Sequence, residues 1–201
     1  EASLLEARLE RLRFLLYDER RIPRDAGSYT GSTSTVMGAT VAALTSAELS
    51  ELLPKLVDKI GALPFESRKH VAAIFNYLLV AGSKGSDADV FFPLTATFVE
   101  YMKVHLGQAL SSIMSGLEAA QKRGQVDLGL HYNSMYRSCL RHPSLYRRIV
   151  GSSVSSRQYV FPFLDVYVHE SNFEVSSDAM ETLRLLFTGG VNEISNTVQQ
   201  E

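Results

Sequence analysis

The amino-acid sequence predicts an all-α protein, and three observations carry that expectation. Apolar residues recur at helical spacing along most of the 201 residues. No segment sustains apolar–polar alternation up to a hairpin turn signal. The composition, 45% hydrophobic and 21% charged, is that of a globular chain with one sizeable core or an elongated core shared among repeats.

Taken in order, Leu5, Leu9, Leu12 and Leu16 mark a first helix, with Arg and Glu between them. Leu49, Leu52, Leu53, Leu56, Val57 and Ile60 make a cleaner stripe, and Thr45-Ser46-Ala47-Glu48 before it reads as a capping box. Val71, Ile74, Phe75, Leu78 and Leu79 form the next apolar face, closed by Gly82. Phe98, Met102, His105 and Leu106, followed by Ile113 and Leu117, predict one long helix or two abutting ones. Leu128, Tyr132, Met135, Tyr136, Cys139 and Leu140 keep the same spacing. Pro143 ends that helix and opens another. Phe161 to Val168 fits a helix entered through Pro162. Ala179, Leu183, Leu186 and Phe187 mark a helix ending at Gly189-Gly190, with Val191 to Gln200 as a separate last one. The Gly/Ser-rich stretches 24–40 and 81–89 read as loops, neither long enough to divide domains. Residues 1–201 are therefore expected to form a single helical-repeat domain.

An internal echo supports repeats. Phe65-Glu66 leads a block with Val71, Ala72, Phe75, Leu78, Leu79 and Gly82. Phe173-Glu174 leads another with Ala179, Met180, Leu183, Leu186, Phe187 and Gly190 at the same offsets. An apolar helix face repeated in this way predicts stacked helices, each buried against its neighbours, with a concave side.

Charge is unevenly placed within a formal total of −2. Leu128 to Leu164 holds no Asp or Glu but contains Arg137, Arg141, Arg147, Arg148 and Arg157. From Asp165 onward, Glu170, Glu174, Asp178, Glu181, Glu193 and Glu201 face only Arg184. Such neighbouring stretches either steer a dipolar partner or are two solvated helix faces. Nucleic-acid binding is disfavoured, since the charge is slightly negative and aromatics do not alternate with Lys. One cysteine, Cys139, excludes an internal disulfide framework and suits a reducing, cytoplasmic compartment. There is no secretory pattern and no apolar run near the ~20 residues of a membrane span. The first residue is Glu, as in a piece of a longer protein.

Catalytic and metal motifs are not found. Gly82-Ser83-Lys84-Gly85-Ser86 lacks the spacing of a phosphate loop. Asp87 and Asp89 open like a calcium loop, but Phe91, Phe92 and Phe98 stand at positions where the loop needs other residues, Phe98 replacing the bidentate carboxylate. His70, His105, His131, His142 and His169 do not fall in zinc spacing with Cys139 or with one another. His70 and His131 are expected on exposed helix surface, and His142 at a helix C-terminus. Cys139 lies on an apolar face and reads as a small buried hydrophobe rather than a thiolate. No catalytic, cofactor-binding or metal-binding residue is expected. A surface for another protein is what remains.

Three segments resemble one family. Phe65-Glu66-Ser67-Arg68-Lys69-His70-Val71-Ala72-Ala73-Ile74-Phe75-Asn76 is similar to the Phe-Glu, basic pair and Val-Ala-x-Ile-Phe-Asn run of Mo-25 proteins, the calcium-binding protein 39-like scaffolds. Met135-Tyr136-Arg137-Ser138-Cys139-Leu140-Arg141-His142 resembles that family's Met-Leu-Arg-x-Cys-Ile-Arg-His helix end. Phe173 to Leu183 resembles its Phe-Asp-Ile-Ala-Ser-Asp-Ala-Phe-x-Thr-Phe stretch. The resemblance implies an armadillo/HEAT-like helical-repeat solenoid without enzymatic activity. It implies a scaffold that clasps the pseudokinase STRAD or Sterile-20-type kinases in an active-like conformation, with the later family repeats lying beyond this stretch. The alternative is a helical-repeat module for cytoskeletal or trafficking partners, without kinase regulation.

The resemblance and helical spacing together suggest four contact residues. Phe173 matches a family position on the concave, kinase-facing surface, although an aromatic just ahead of a helix also suits a hydrophobic staple. Arg137 and Arg141, four apart on one face, reach either acidic groups on a kinase or Glu174 and Asp178 of the same chain. Arg184 stands where the family has Lys and shares that face. Asn76 matches the family too and suits a structural amide.

Overall fold

The computed structural model describes residues 2–17, 47–80 and 88–198. Among these residues there is no strand, and helices pack directly on helices, as periodicity predicts. The Thr45-Ser46 capping signal, Gly82, Gln200 and most of the two Gly/Ser-rich stretches lie outside the described residues. The chain divides into two compact units, Glu1–Tyr101 and Met102–Glu201.

In the first unit, α1 (Ala2–Tyr17) and α2 (Ala47–Lys59) pack against α3 (Phe65–Val80). A 3-10 turn, Ile60–Ala62, joins α2 towards α3. Pro54 sits inside α2, where it leaves the carbonyl four residues earlier without its helical donor. Burial of Leu53, Val57 and Ile60 compensates for that loss. Arg68 latches the turn onto α3: its Nε donates to the Leu63 carbonyl at 2.8 Å and an Nη to the Gly61 carbonyl at 3.1 Å. The α3 face of Val71, Ile74, Phe75 and Leu78 is buried, and the Phe75 ring meets Phe98 edge-on at 5.7 Å.

His70 departs from expectation. It is only 6% exposed, because α1 packs against α3. Ser67, one turn earlier, is also buried, and neither the Ser67 hydroxyl nor His70 Nδ1 has a hydrogen-bond partner among the described residues. Burial pushes the His70 imidazole below its ordinary value of 6.5, helped by the Arg13 charge and opposed by Glu10, Glu66 and Glu6.

The second unit starts within α4 (Ala88–Lys122), one continuous helix of 35 residues. It is followed by α5 (Val126–Leu140), α6 (Pro143–Val150), α7 (Ser153–Tyr159), α8 (Phe161–Asp165), a 3-10 turn (Tyr167–His169) and α9 (Phe173–Val198). Gly124 ends α4 at φ 64°, with Gln125 N donating to Ala120 O and Gly124 N to Gln121 O, the paired bonds of a Schellman stop. Pro143 occupies the first turn of α6 as expected, and the His142 carbonyl just before it accepts from Leu145 and Tyr146 N–H. His142 thus ends one helix and starts the next. The core holds Met135, Tyr136, Cys139, Leu145, Ile149 and Phe163, none above 0% exposed. Tyr136 stacks on Phe163 at 5.0 Å and its hydroxyl donates to the Tyr159 carbonyl at 2.8 Å. Asn76, in the first unit, is half-buried.

Two elements differ from the sequence expectation, and the serine-rich stretch after Gly151 adds a helix, α7, capped by Ser152 Oγ, which accepts from Ser155 N at 3.1 Å. The segment Phe161 to Val168 is not one helix; it breaks at Val166 (φ −126°, ψ −64°) into α8 and a 3-10 turn. Finally, Gly189-Gly190 does not stop a helix, since α9 runs through both. Gly189 is there for close approach. A Cβ at that position would lie 2.6 Å from Tyr146 Cε2, and the Tyr146 hydroxyl donates to the Leu186 carbonyl at 2.6 Å.

Two predictions follow from the fold. Gly189→Ala should lower stability by about 1–3 kcal/mol through overpacking, measured by urea denaturation. In a Tyr146→Leu background the same change should instead stabilise, by the helix propensity of about 1 kcal/mol that Ala holds over Gly. The depressed His70 imidazole means that the unfolded chain takes up a proton more readily than the folded one. His70's contribution should therefore be complete above its ordinary value of 6.5 and be lost as pH falls through the folded value. Denaturation midpoints between about pH 7.5 and pH 5 should fall less steeply in His70→Gln than in the parent.

Candidate functional site

Among the described residues, the second unit leaves one helix face uncovered. Asn172 starts α9 as its N-cap, its Oδ1 accepting from Glu174 N at 2.9 Å and Val175 N at 3.2 Å. From there Ala179, Thr182, Leu183 and Leu186 turn inward and are buried, at the i, i+3, i+4, i+7 spacing of a core face. Phe173, Met180 and Phe187, at i, i+7 and i+14, are exposed to 81%, 59% and 66%. At 100° per residue these three and Arg184 share a ridge only ~60° wide.

The orientation of α9 is set by a polar junction with α5. Arg137 Nη1 pairs with Asp178 Oδ1 and also donates to the Asp178 carbonyl at 3.1 Å. Asn133 Nδ2 donates to Asp178 Oδ2 at 2.5 Å, and Thr182 Oγ1 donates to Asn133 Oδ1 at 2.9 Å. The Arg137 and Asp178 side chains are 15% and 17% exposed, so water screens the pair only partly.

Beside this junction lies a charged belt. Arg184 holds Glu181 in a two-point pair, Nε to Oε2 at 2.8 Å and Nη2 to Oε1 at 2.7 Å. That hydrogen bond, with the charges of Arg184, Arg137 and Arg141, keeps the Glu181 carboxyl below its ordinary range. The same hydrogen bond raises the Arg184 guanidinium.

Arg184 thus contacts Glu181 directly and also stands on the Phe173 ridge, while Arg137 and Arg141 act on Glu181 through their charge. Of the two fates open to Arg137, the intramolecular pair with Asp178 is the one observed. Arg141, at the end of α5, is exposed. Phe173 is no staple, since it stands in solvent. Met180 and Phe187, which the echo placed on a repeated core face, are ridge residues instead. The signal that could have found them is the seven-residue interval from Phe173.

Cys139 is fully buried and burial pushes its thiol up to about 12, away from thiolate chemistry. His131 is half-buried. Ser144 Oγ lies 3.0 Å from His142 Nδ1, a local contact at the start of α6. Among the described residues no group of three or more His, Cys, Asp or Glu could hold a metal ion. No described helix is long and apolar enough to cross a membrane. What the ridge and belt offer is an amphipathic surface, apolar along its crest and charged along one flank.

Comparison with known proteins gives a consistent answer. The family profile described as Mo25-like matches residues 28–195. Over 141 residues the chain is 29% identical to MO25-like protein 2 of Caenorhabditis elegans, covering 69% of this chain and 35% of the relative. It is 30% identical, over the same shares of each chain, to the proteins named Calcium-binding protein 39-like of Homo sapiens and Mus musculus. The matched part spans about a third of the length of these relatives.

The two charged pairs should behave differently. Asp178→Ala, which leaves Arg137 unpaired beside Asn133, should cost about 2–3 kcal/mol in urea denaturation. Glu181→Gln, at the exposed pair, should leave the melting temperature unchanged.

Proposed function

Because the chain belongs to the Mo25-like family, we propose that it is a non-catalytic scaffold whose α9 ridge binds a protein kinase or pseudokinase. The partner class, STRAD-like or Sterile-20-type, follows from the family resemblance. The observation that carries the reading is the bare apolar crest of Phe173, Met180 and Phe187, with Arg184 between them. Large apolar side chains aligned on one crest and rimmed by charge are the usual anatomy of a protein–protein contact.

In this reading the helices stack as an armadillo/HEAT-like solenoid in the cytoplasm, and the ridge belongs to its partner-facing side. The scaffold works by equilibrium. A rigid face that fits one kinase conformation better than another shifts the population towards the fitted one, by the ratio of the two affinities. Phe173 and Arg184 are the contacts that matter most, Phe173 as an aromatic anchor and Arg184 as an exposed guanidinium held beside the crest by Glu181. Arg141 adds positive charge at the flank. Arg137 acts indirectly, by holding α9 in place.

The double variant Phe173→Ala/Arg184→Glu should bind a purified Sterile-20-type kinase or STRAD-like pseudokinase at least about 30-fold more weakly, as expected for loss of an anchor worth ~2 kcal/mol or more. Helical circular dichroism and melting temperature should be unchanged, since both side chains are exposed. Calorimetry showing equal affinity for parent and variant would remove the ridge from the reading.

A further inference from the structure

A cleft of about 280 Å³ lies at one end of the second unit, where the C-terminus of α4, the start of α5, the 3-10 turn and the start of α9 meet. Its volume falls just under the ~300–1,000 Å³ of pockets that hold a whole cofactor or drug-sized ligand. It matches a single long side chain. Leu117, Leu130, Phe163, Tyr167, Val175 and Ala179 supply an apolar interior.

The charge around the cleft has one sign. Among the described residues of the lining, Glu170 and Asp178 are the only carboxylates, and there is no Lys or Arg. Asp178 is already neutralised by Arg137 and Asn133. Among the described residues Glu170 has no such cation: its Oε1 accepts from the Gln121 amide, a neutral donor. The local field is felt by Tyr167, whose hydroxyl is pushed up to about 12 by burial and by the charges of Glu118 and Glu170. A carboxylate or phosphate is therefore repelled. A ligand with an apolar stem and a cationic tip is attracted at both ends.

We propose that this cleft receives an arginine side chain from a protein partner, its methylene stem against Leu117 and Val175 and its guanidinium on Glu170. Arginine fits better than lysine, because its planar fork lies flat against aromatic walls such as Tyr167 and pairs with a carboxylate at two points. A protein source fits because Ser171 and Asn172, at the mouth, immediately precede the exposed Phe173. Val175, Asp178 and Ala179 face the cleft from the side of α9 opposite the ridge, so a partner on the ridge reaches it around the exposed N-terminus of the helix at Ser171 and Asn172. This last step rests on the ridge reading above, whereas the chemistry of the cleft does not.

The test uses methyl NMR of the whole chain with three probes: n-butylguanidinium, its neutral isostere n-butylurea, and the blocked tripeptide acetyl-Gly-Arg-Gly-amide. Saturable shifts at Leu117, Leu130 and Val175 are expected with the guanidinium and the tripeptide, and binding at least about fivefold weaker with the urea. Glu170→Gln should weaken the guanidinium about as much, while keeping an acceptor for Gln121. Gly129→Leu offers a second variant. A Cβ at Gly129 would make ordinary contacts with Leu117 and Ala120 at 3.7 and 3.9 Å, so the helix tolerates a side chain whose far end fills the cleft. It should abolish the shifts. Equal binding of the urea, indifference to Gly129→Leu, or no saturation at all would overturn the cleft assignment. Binding of the free guanidinium but not of the tripeptide would overturn the protein source. None of these outcomes depends on whether a kinase binds the ridge, so the two readings fail separately.

Discussion

The junction in which Asp178 is gripped by Arg137 and Asn133 decides how α9 is turned about its own axis. Helix packing by apolar contact alone tolerates some rotation, since Leu, Phe and Met substitute for one another at an interface. A half-buried carboxylate does not, because losing either partner strands charge away from water. With Asp178 and Thr182 held against α5, the 3.6-residue repeat sends Ala179, Leu183 and Leu186 inward and Phe173, Met180 and Phe187 outward. A slip of one residue would rotate the helix by ~100° and turn the crest away from solvent. The polar network therefore supports the proposed contact surface without touching any partner. Its value is specificity of orientation more than net stability.

Much of this architecture was legible beforehand. Helical periodicity located the first helix, the α2 and α3 stripes, the long α4, α5, and the Pro143 boundary, because core-facing spacing is a local property of the chain. The resemblance points to Phe173 and Arg184 and helical spacing to Arg137 and Arg141 as contact residues, and the charges of the three arginines all act on Glu181. What could not be read is cover. Periodicity says that a face is apolar, but not whether anything lies on it. Met180 and Phe187 were for that reason placed in a core, and His70 on a surface, when the folded unit does the reverse. Gly189 was misread for a related reason. A glycine pair resembles a helix stop until the ring of Tyr146, far away in sequence, is seen to occupy the space of the missing side chain.

The two echoing helices make the point within one molecule. Each starts at a Phe-Glu pair, and the positions six, ten and thirteen residues on are buried in both: Val71 and Ala179, Phe75 and Leu183, Leu78 and Leu186. The copies part at the seventh and fourteenth. Ala72 and Leu79 are 4% exposed, whereas Met180 and Phe187 are 59% and 66% exposed. In α3 both flanks of the apolar face are covered. In α9 one flank has no cover among the described residues, although its composition is as apolar. A repeat that keeps the greasy residues of a buried position at a wet one is under a different demand, which the proposed partner contact would meet.

Cys139 has a practical consequence. It is the sole sulfhydryl in the sequence, wholly enclosed, with its ionisation pushed up to about 12. Maleimide and nitroxide reagents, which need an accessible sulfur anion, find no target in the native molecule. A cysteine engineered onto the α9 crest would be the single point of attachment, so fluorescent or paramagnetic reporters can be installed there without first deleting the natural residue.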